Sequence, residues 1–350
     1  MGDEKNVPYP YEFYNISDEE KSLNEKLHAY PYEFLRVGPK GYLVSKIFKT
    51  DAANIYNLPL RSSDIFVTSY QRSGTTWTQE LVWLLASDLD YEKALSTPLI
   101  ERYSFLEMFM NVPDTGIDGF MKALEGQNSE NFNKEEMLKM IKWLGSPITG
   151  DLATRPSPRF IKSHLPMSLL PRNLLDTAKM VYIARDPRDV AVSYYHHTRL
   201  FMHTGFKGTF KEFWHLFHGN LMVLTPYFEH VKEAWEKRHD PNMLFLFYED
   251  LSKDLPAAVQ RVADFLGKKL DDKQKATLCD HLSIENFKKN KAVNFDELRV
   301  LGMFAKDEEF IRKGKAGGWR DYFDEEMTQE AEKWIADNLK DTDLRFPTVK

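Results

Sequence analysis

Between Asp64 and Tyr248 the chain alternates short, almost wholly apolar runs with longer stretches whose apolar residues recur at helical spacing. The apolar runs are Asp64–Tyr70, Arg159–Ser163, Met180–Ala184 and Met243–Tyr248. Runs this short and this apolar suit parallel strands buried on both faces. Thr75 opens a helix whose apolar face carries Leu81, Val82 and Leu85, and another helix begins near Asp189. Further helices fall around 209–218, 226–238 and 255–266. The alternation predicts one α/β domain spanning 1–350, with a central parallel sheet flanked by helices. Two regions break the pattern. Residues 1–60 are polar and aromatic, punctuated by Pro8, Pro10, Pro31 and Gly38-Pro39, with no long periodic segment. They read as an extended arm with a turn at Gly38–Gly41. Residues 112–158 are rich in Asn, Glu and Lys around one amphipathic stretch, Lys134–Trp143, and read as an inserted, lid-like segment.

Composition narrows the classes. Of 350 residues, 42% are hydrophobic and 29% charged, the balance of an ordinary globular enzyme. A net charge of −6 excludes a chain-wide polyanion-binding surface. Any anion site must be a local concentration of basic side chains and backbone N–H groups. The single cysteine, Cys279, excludes an internal disulfide and a multi-thiolate metal site, and no metal is expected. It also fits a reducing compartment. The longest obvious apolar run, Leu81–Ala86, falls far short of the ~20 residues that span a membrane. Met1–Asn6 lacks a signal-peptide core, so cytoplasmic placement is the expectation.

Three segments carry candidate chemistry. The first runs from Ser69 to Trp77, between a buried strand and a helix N-terminus. Such a loop aims backbone N–H groups and the positive end of the helix dipole at one point. Arg72, Ser73, Thr75 and Thr76 add side-chain donors around Gly74, a construction that suits phosphate or sulfate. It is P-loop-like but lacks the Walker pattern. An ordinary helix cap is the bland alternative. In the second segment, Arg185 directly follows a strand, at the carboxyl edge where open α/β sheets bind ligands, and Ser193 lies on the next helix. Taken alone, pairing of Arg185 with Asp186 or Asp189 would be the simpler reading. The third is Phe310–Trp319, where Arg312 and Lys313 adjoin Gly314. A lone basic loop is usually solvated surface. Three anion-binding features in an acidic chain instead suggest a ligand with two phosphate-like ends.

Taken together, Arg72–Trp77, Lys162-Ser163-His164-Leu165-Pro166, Arg185 with Ser193, Phe247–Asp250 and Arg312–Trp319 stand in the order seen in cytosolic sulfotransferases. Those enzymes use 3′-phosphoadenosine-5′-phosphosulfate (PAPS). The resemblance runs from about residue 30 almost to the C-terminus. Within the family the chain resembles the insect branch that includes retinol dehydratase, which eliminates water from an allylic alcohol. The resemblance implies that Arg72, Ser73, Gly74, Thr75, Thr76 and Trp77 form the phosphosulfate loop, with Trp77 against the adenine. It implies that Arg185 and Ser193 hold the 3′-phosphate together with Phe310, Arg312, Lys313 and Gly314. Tyr248 and the Leu282-Ser283-Ile284 segment would meet the adenine. His164 would be the catalytic base, with Lys162 and Arg72 as cationic neighbours. PAPS would be the co-substrate and its desulfated form, PAP, a product.

The chain departs from the family pattern at several positions. Arg72 replaces the usual lysine and Gln71 the proline before it; Ile284 replaces an aromatic residue, and Gly318 an acid. The dimerisation motif expected near 320–329 is not retained, so a homodimer of the family's usual kind is in doubt.

Sulfuryl transfer resembles phosphoryl transfer, where positioning and electrostatics do most of the catalysis. His164 suits the base because an ordinary imidazole titrates near pH ~6.5. Arg72 does not deprotonate and so acts electrostatically on the departing phosphate. His196 and His197 read as structural or surface residues. Phe105, Leu106, Met108, Phe109 and Met110 are candidates for an apolar wall around a small, lipophilic hydroxyl acceptor, although such a stretch is more often core. A nucleotide-dependent kinase and a non-catalytic carrier of a lipophilic alcohol are the rival readings. No nucleic-acid partner is expected.

Overall fold

The structure, a computed structural model, describes residues 7–28, 33–111, 134–201, 204–300 and 303–349. The first sixty residues carry more regular structure than an extended arm. Strands β1 (Phe13–Asn15), β2 (Phe34–Val37) and β3 (Tyr42–Ser45) pair antiparallel in that order. The expected turn joins β2 to β3, closed by the Gly41 N–H on the Gly38 carbonyl at 3.2 Å. A helix, Asp18–Leu27, precedes β2. Only Asn24 and Leu27 on it are buried, so no apolar stripe marks it in the sequence. Its signal is instead the capping box, in which Ser17 and Glu20 each satisfy the other's backbone N–H.

The four apolar runs all become strands. They are β4 (Ile65–Thr68), then, after the two-residue β5 (Ser104–Phe105), β6 (Phe160–Ser163), β7 (Lys179–Ala184) and β8 (Met243–Phe247). These five strands form one parallel sheet in the order β5-β6-β4-β7-β8. Because β6 and β7 flank β4 on opposite sides, the winding reverses there and a crevice opens beyond the carboxyl ends of the central strands.

Alternation along the strands feeds two cores. Phe66, Met180, Tyr182 and Phe245 face a cluster with Trp214, Phe217 and Tyr227. Val67, Val181, Ile183 and Leu246 face one with Leu81, Val82, Leu85 and Val259. Each fully buried side chain of this kind contributes about 1.5–3 kcal/mol. The covering helices include Thr75–Ala86, Phe210–His218, Tyr227–Glu236 and Leu255–Phe265, close to their expected places. The helix expected near Asp189 starts earlier, at Pro187, because Asp186 caps it through the Arg188 N–H.

Within the inserted segment, residues 112–133 lie outside the described residues. The rest begins with the amphipathic stretch as a helix, Lys134–Leu144. Its Met137, Ile141 and Leu144 pack on Leu200, Leu298 and Phe304, while Trp143 stays exposed.

Candidate active site

The loop after β4 is shaped by two left-handed residues, Arg72 (φ +64°) and Gly74 (φ +106°). A Cβ on Gly74 would stand 2.7 Å from the Tyr248 ring, so both backbone and space demand glycine. The Ser69 and Thr75 hydroxyls hydrogen-bond at 2.6 Å and clamp the loop's entry to its exit. The Ser73 hydroxyl is buried with no hydrogen-bond partner. Arg72 Nε donates to the Ser193 hydroxyl at 3.2 Å, and its guanidinium also donates to the Phe310 carbonyl at 2.9 Å.

Arg185 follows β7 and stacks on the Tyr248 ring at 4.1 Å. It donates to the carbonyls of Arg72 (3.3 Å) and Lys315 (3.2 Å), and its Nε is buried without a partner. The expected alternative of an acid partner holds only loosely, through Asp189 and not Asp186. Asp186 holds Arg188 at 2.6 Å. Asp189 lies 3.9 Å from Arg185 and spends its carboxylate on the Gly317 and Trp319 N–H groups, at 2.6 and 2.9 Å. Those bonds pin the C-terminal basic loop to the helix after β7. On that loop, Arg312 donates to the Tyr322 hydroxyl at 3.1 Å, and Lys313 pairs with Asp321 at an exposed site of little energetic weight. Burial, with Arg185 and Arg312 nearby, pushes Arg72 down to about 9. Basic side chains that outnumber the acids beside them, together with an orphaned Arg185 donor, fit a polyanionic ligand such as PAPS.

His164 follows β6 at the same edge. Its Nδ1 lies 2.9 Å from the Ser69 carbonyl, which only accepts, so Nδ1 carries the hydrogen and Nε2 keeps its lone pair. The backbone is gripped from both sides. The Glu107 carboxylate takes the His164 N–H and, at 2.7 Å, the Ser163 hydroxyl. His230 Nε2–H donates to the His164 carbonyl at 2.7 Å, and the Tyr182 hydroxyl donates to His230 Nδ1 at 2.8 Å. Burial holds His164 well below the usual imidazole range, and the Lys162 ammonium adds to the shift. Lys162 sits over the Phe105 ring at 4.1 Å, lowered to about 8 by burial against the opposing pull of Glu107. Burial also raises Glu107 to about 7.

Arg72, Glu107, Lys162, His164, Arg185, Arg312 and Lys313 all line one cavity of about 320 Å³. Its cationic half is walled by Arg72, Gly74–Trp77, Arg185, Ser193, Tyr248 and the Arg312–Lys315 loop. Three expected residues lie behind that wall. Ser73 is fully buried, Leu282 gives its carbonyl to Trp77 Nε1 at 2.9 Å, and Ser283 caps the Ile284–Lys289 helix. Ile284 itself lines the cavity but packs on Gly314, where a Cβ would meet it at 2.0 Å. The other half is apolar. Phe105, Met108 and Met110 line it as expected, whereas Leu106 and Phe109 turn into the core. Leu144, Phe201, Phe295, Leu298 and Met303 are also part of the apolar wall. Of the two paired histidines, His196 is structural, bonded to Glu308 and Tyr322, while His197 reaches the cavity. Sequence reasoning missed Glu107, although a lone acid inside the apolar run Phe105–Met110 was a readable signal.

Comparison with known proteins agrees with this geometry. Residues 62–343 match the sulfotransferase domain family. The luciferin sulfotransferase of Photinus pyralis is 36% identical over 292 residues, covering 81% of this chain and 74% of that protein. Mouse sulfotransferase 1B1 is 31% identical over 309 residues, covering 88% of this chain and 93% of its own. Retinol dehydratase, solved with retinol and PAP, is 55% identical with a TM-score of 0.93, covering 97% of this chain and 100% of that one. A second structure of it, with androsterone and PAP, gives a TM-score of 0.94. The chain therefore belongs to the sulfotransferase family and is a PAPS-dependent sulfotransferase.

Proposed function

We propose that this enzyme transfers the sulfuryl group of PAPS to the hydroxyl of a lipophilic alcohol, with His164 as the base. The observation that carries the reading is one cavity with two unlike halves, one cationic and one apolar, and His164 on its wall. Bound there, PAPS supplies an activated sulfuryl group and a phosphate that leaves readily. Arg72, Gly74, Thr75 and Thr76 would hold its phosphosulfate through guanidinium, hydroxyl and backbone N–H donors. Arg185, Ser193, Arg312 and Lys313 would take the second phosphate, and Trp77 and Tyr248 the base.

His164 is neutral at physiological pH, and Nε2 is the nitrogen available to accept the acceptor's proton. Lys162 and Arg72 stabilise charge on the transferring oxygens. Glu107, in its ionised form, offsets the imidazolium that forms. The Lys134–Leu144 helix, part of the inserted segment, serves as a lid that keeps water from the apolar half. With an allylic acceptor, the ester's C–O bond breaks in this dry site, sulfate departs with the electron pair, and loss of a proton leaves a diene. The enzyme would work in the cytoplasm; among the described residues no helix is long and apolar enough to cross a membrane.

The test is product identity. The enzyme is incubated with PAPS and either retinol or a saturated terpenoid alcohol, and the acceptor is followed by mass spectrometry. Dehydrated retinoid beside intact saturated sulfate ester is the expected result. Ester alone from both would remove the elimination step, and no PAPS-dependent product from either would remove the acceptor class.

A further inference from the structure

Two polar side chains in the apolar half of the cavity are unexplained by sulfuryl transfer. Asn24 is 6% exposed and Ser45 1% exposed, and both line the cavity. Neither the Asn24 Oδ1 nor the Ser45 Oγ has a hydrogen-bond partner. Ser45 precedes a short 3-10 helix, Lys46–Thr50, yet makes no capping bond to it. Asn24 lies within the Asp18–Leu27 helix, where its neighbour on the buried face is Leu27. An apolar residue at either position would cost less, because a buried polar atom without a partner forfeits its hydration.

Both belong to the acceptor side. Strand β3, which ends at Ser45, packs against the Met108–Asn111 turn that lines the apolar half. The Asp18–Leu27 helix is tied to the 204–207 segment by the Lys207 N–H on the Leu27 carbonyl at 2.9 Å, and Thr204 also lines the cavity. Asn24 and Ser45 come from separate elements of the N-terminal region, and both residues line the same cavity.

We propose that Asn24 and Ser45 form a second recognition point, and that the preferred acceptor is bifunctional. Besides the hydroxyl that is sulfated, it carries a second hydrogen-bonding group, a hydroxyl or carbonyl, elsewhere on its apolar skeleton. The Ser45 hydroxyl donates to a carbonyl or hydroxyl oxygen, and the Asn24 Oδ1 accepts from a hydroxyl. This inference rests on the lipophilic-acceptor reading and narrows it. A site built to hydrogen-bond a substrate group discriminates strongly against an analogue that lacks it.

The test uses matched pairs on one skeleton, 5α-androstane-3α,17β-diol against 5α-androstan-3α-ol and 4-hydroxyretinol against retinol. Binding to the PAP-loaded enzyme is measured by calorimetry and turnover with PAPS in parallel. The wild type is expected to bind the bifunctional member about tenfold tighter, chiefly through KM rather than kcat. Asn24→Leu and Ser45→Ala should each reduce that ratio, and the double variant should bring it near one. Unchanged PAP affinity and circular dichroism would certify that the variants are folded. A wild-type ratio of one, or a ratio that survives the double variant, overturns the proposal. A bifunctional preference in binding without turnover would uphold the second recognition point while the reaction reading fails. If no member of either pair binds, both fall.

Discussion

The cationic half of the cavity is assembled from turns that directly follow strands β4, β6, β7 and β8, joined by one C-terminal loop. The apolar half draws instead on the N-terminal helix, β3, the Met108–Asn111 turn, the Lys134–Leu144 helix, and Phe295, Leu298 and Met303. In the first half, position comes from the sheet. Four strands end at one edge, and whatever follows them converges. In the second, position comes from packing among connecting segments, which leaves room for acceptors to vary while the donor site stays fixed. The contrast predicts that damage to one half should register on one ligand more than on the other.

Replacing His164, on the wall both halves share, should give the largest effect. His164→Ala is expected to lower kcat by about 10²–10⁴ while leaving PAP affinity near the wild-type value. Turnover close to normal would show that another group takes the proton. Next comes Arg185→Ala, which removes the donor that stacks on Tyr248 and should weaken PAP binding by about 10–100-fold, read by calorimetry. Arg188→Ala is the control, since Arg188 is occupied by Asp186. If both variants weaken PAP equally, the specific role of Arg185 fails.

Gly74→Ala tests the same half through the backbone. A left-handed φ of +106° and a Cβ 2.7 Å from Tyr248 should cost about 1–3 kcal/mol, seen as a lower Tm and weaker PAP binding. On the other side, Ile141→Ala opens space beneath the Lys134–Leu144 helix. Acceptor KM should rise several-fold with PAP affinity preserved; equal losses of both would erase the division between the halves.

The pH profile gives the mildest effect. His164 stays neutral well below its ordinary range, so it imposes no acid limb above pH 6.5. Lys162 is cationic below about 8 and loses its charge above that, so kcat/KM should fall on the alkaline side near there. In Lys162→Met that limb should disappear. Glu107 ionises above about 7, so any acidic limb should track Glu107 and vanish in Glu107→Gln.

The two halves also differ in how far the sequence disclosed them. Arg72–Trp77, Lys162–His164 and Arg185 were legible because each lies at or just beyond the carboxyl end of a strand, and the strand runs were unmistakable. Asp189 was not, because its task is to hold Gly317 and Trp319, and nothing local signals a partner more than a hundred residues away. In the apolar half, Phe105 and Met108 reach the cavity while Leu106 and Phe109 enter the core, yet all four look alike in a run of apolar residues. Turn geometry, not residue type, separates them. Asn24 and Ser45 were invisible for the converse reason, since a polar residue in a polar segment raises no question until its burial is known. The Lys134–Leu144 helix could be read from its stripe, whereas the Asp18–Leu27 helix buries too little to show one.

The most direct test of the account follows the sulfur itself. The enzyme is mixed in a single turnover with ³⁵S-labelled PAPS, with and without a saturated lipophilic alcohol, and label in acceptor and PAP formed are both quantified. The account predicts that label moves to the acceptor one-for-one with PAP, and that PAP forms far more slowly without acceptor. PAP release at the same rate in both samples, with label appearing as free sulfate, would contradict it.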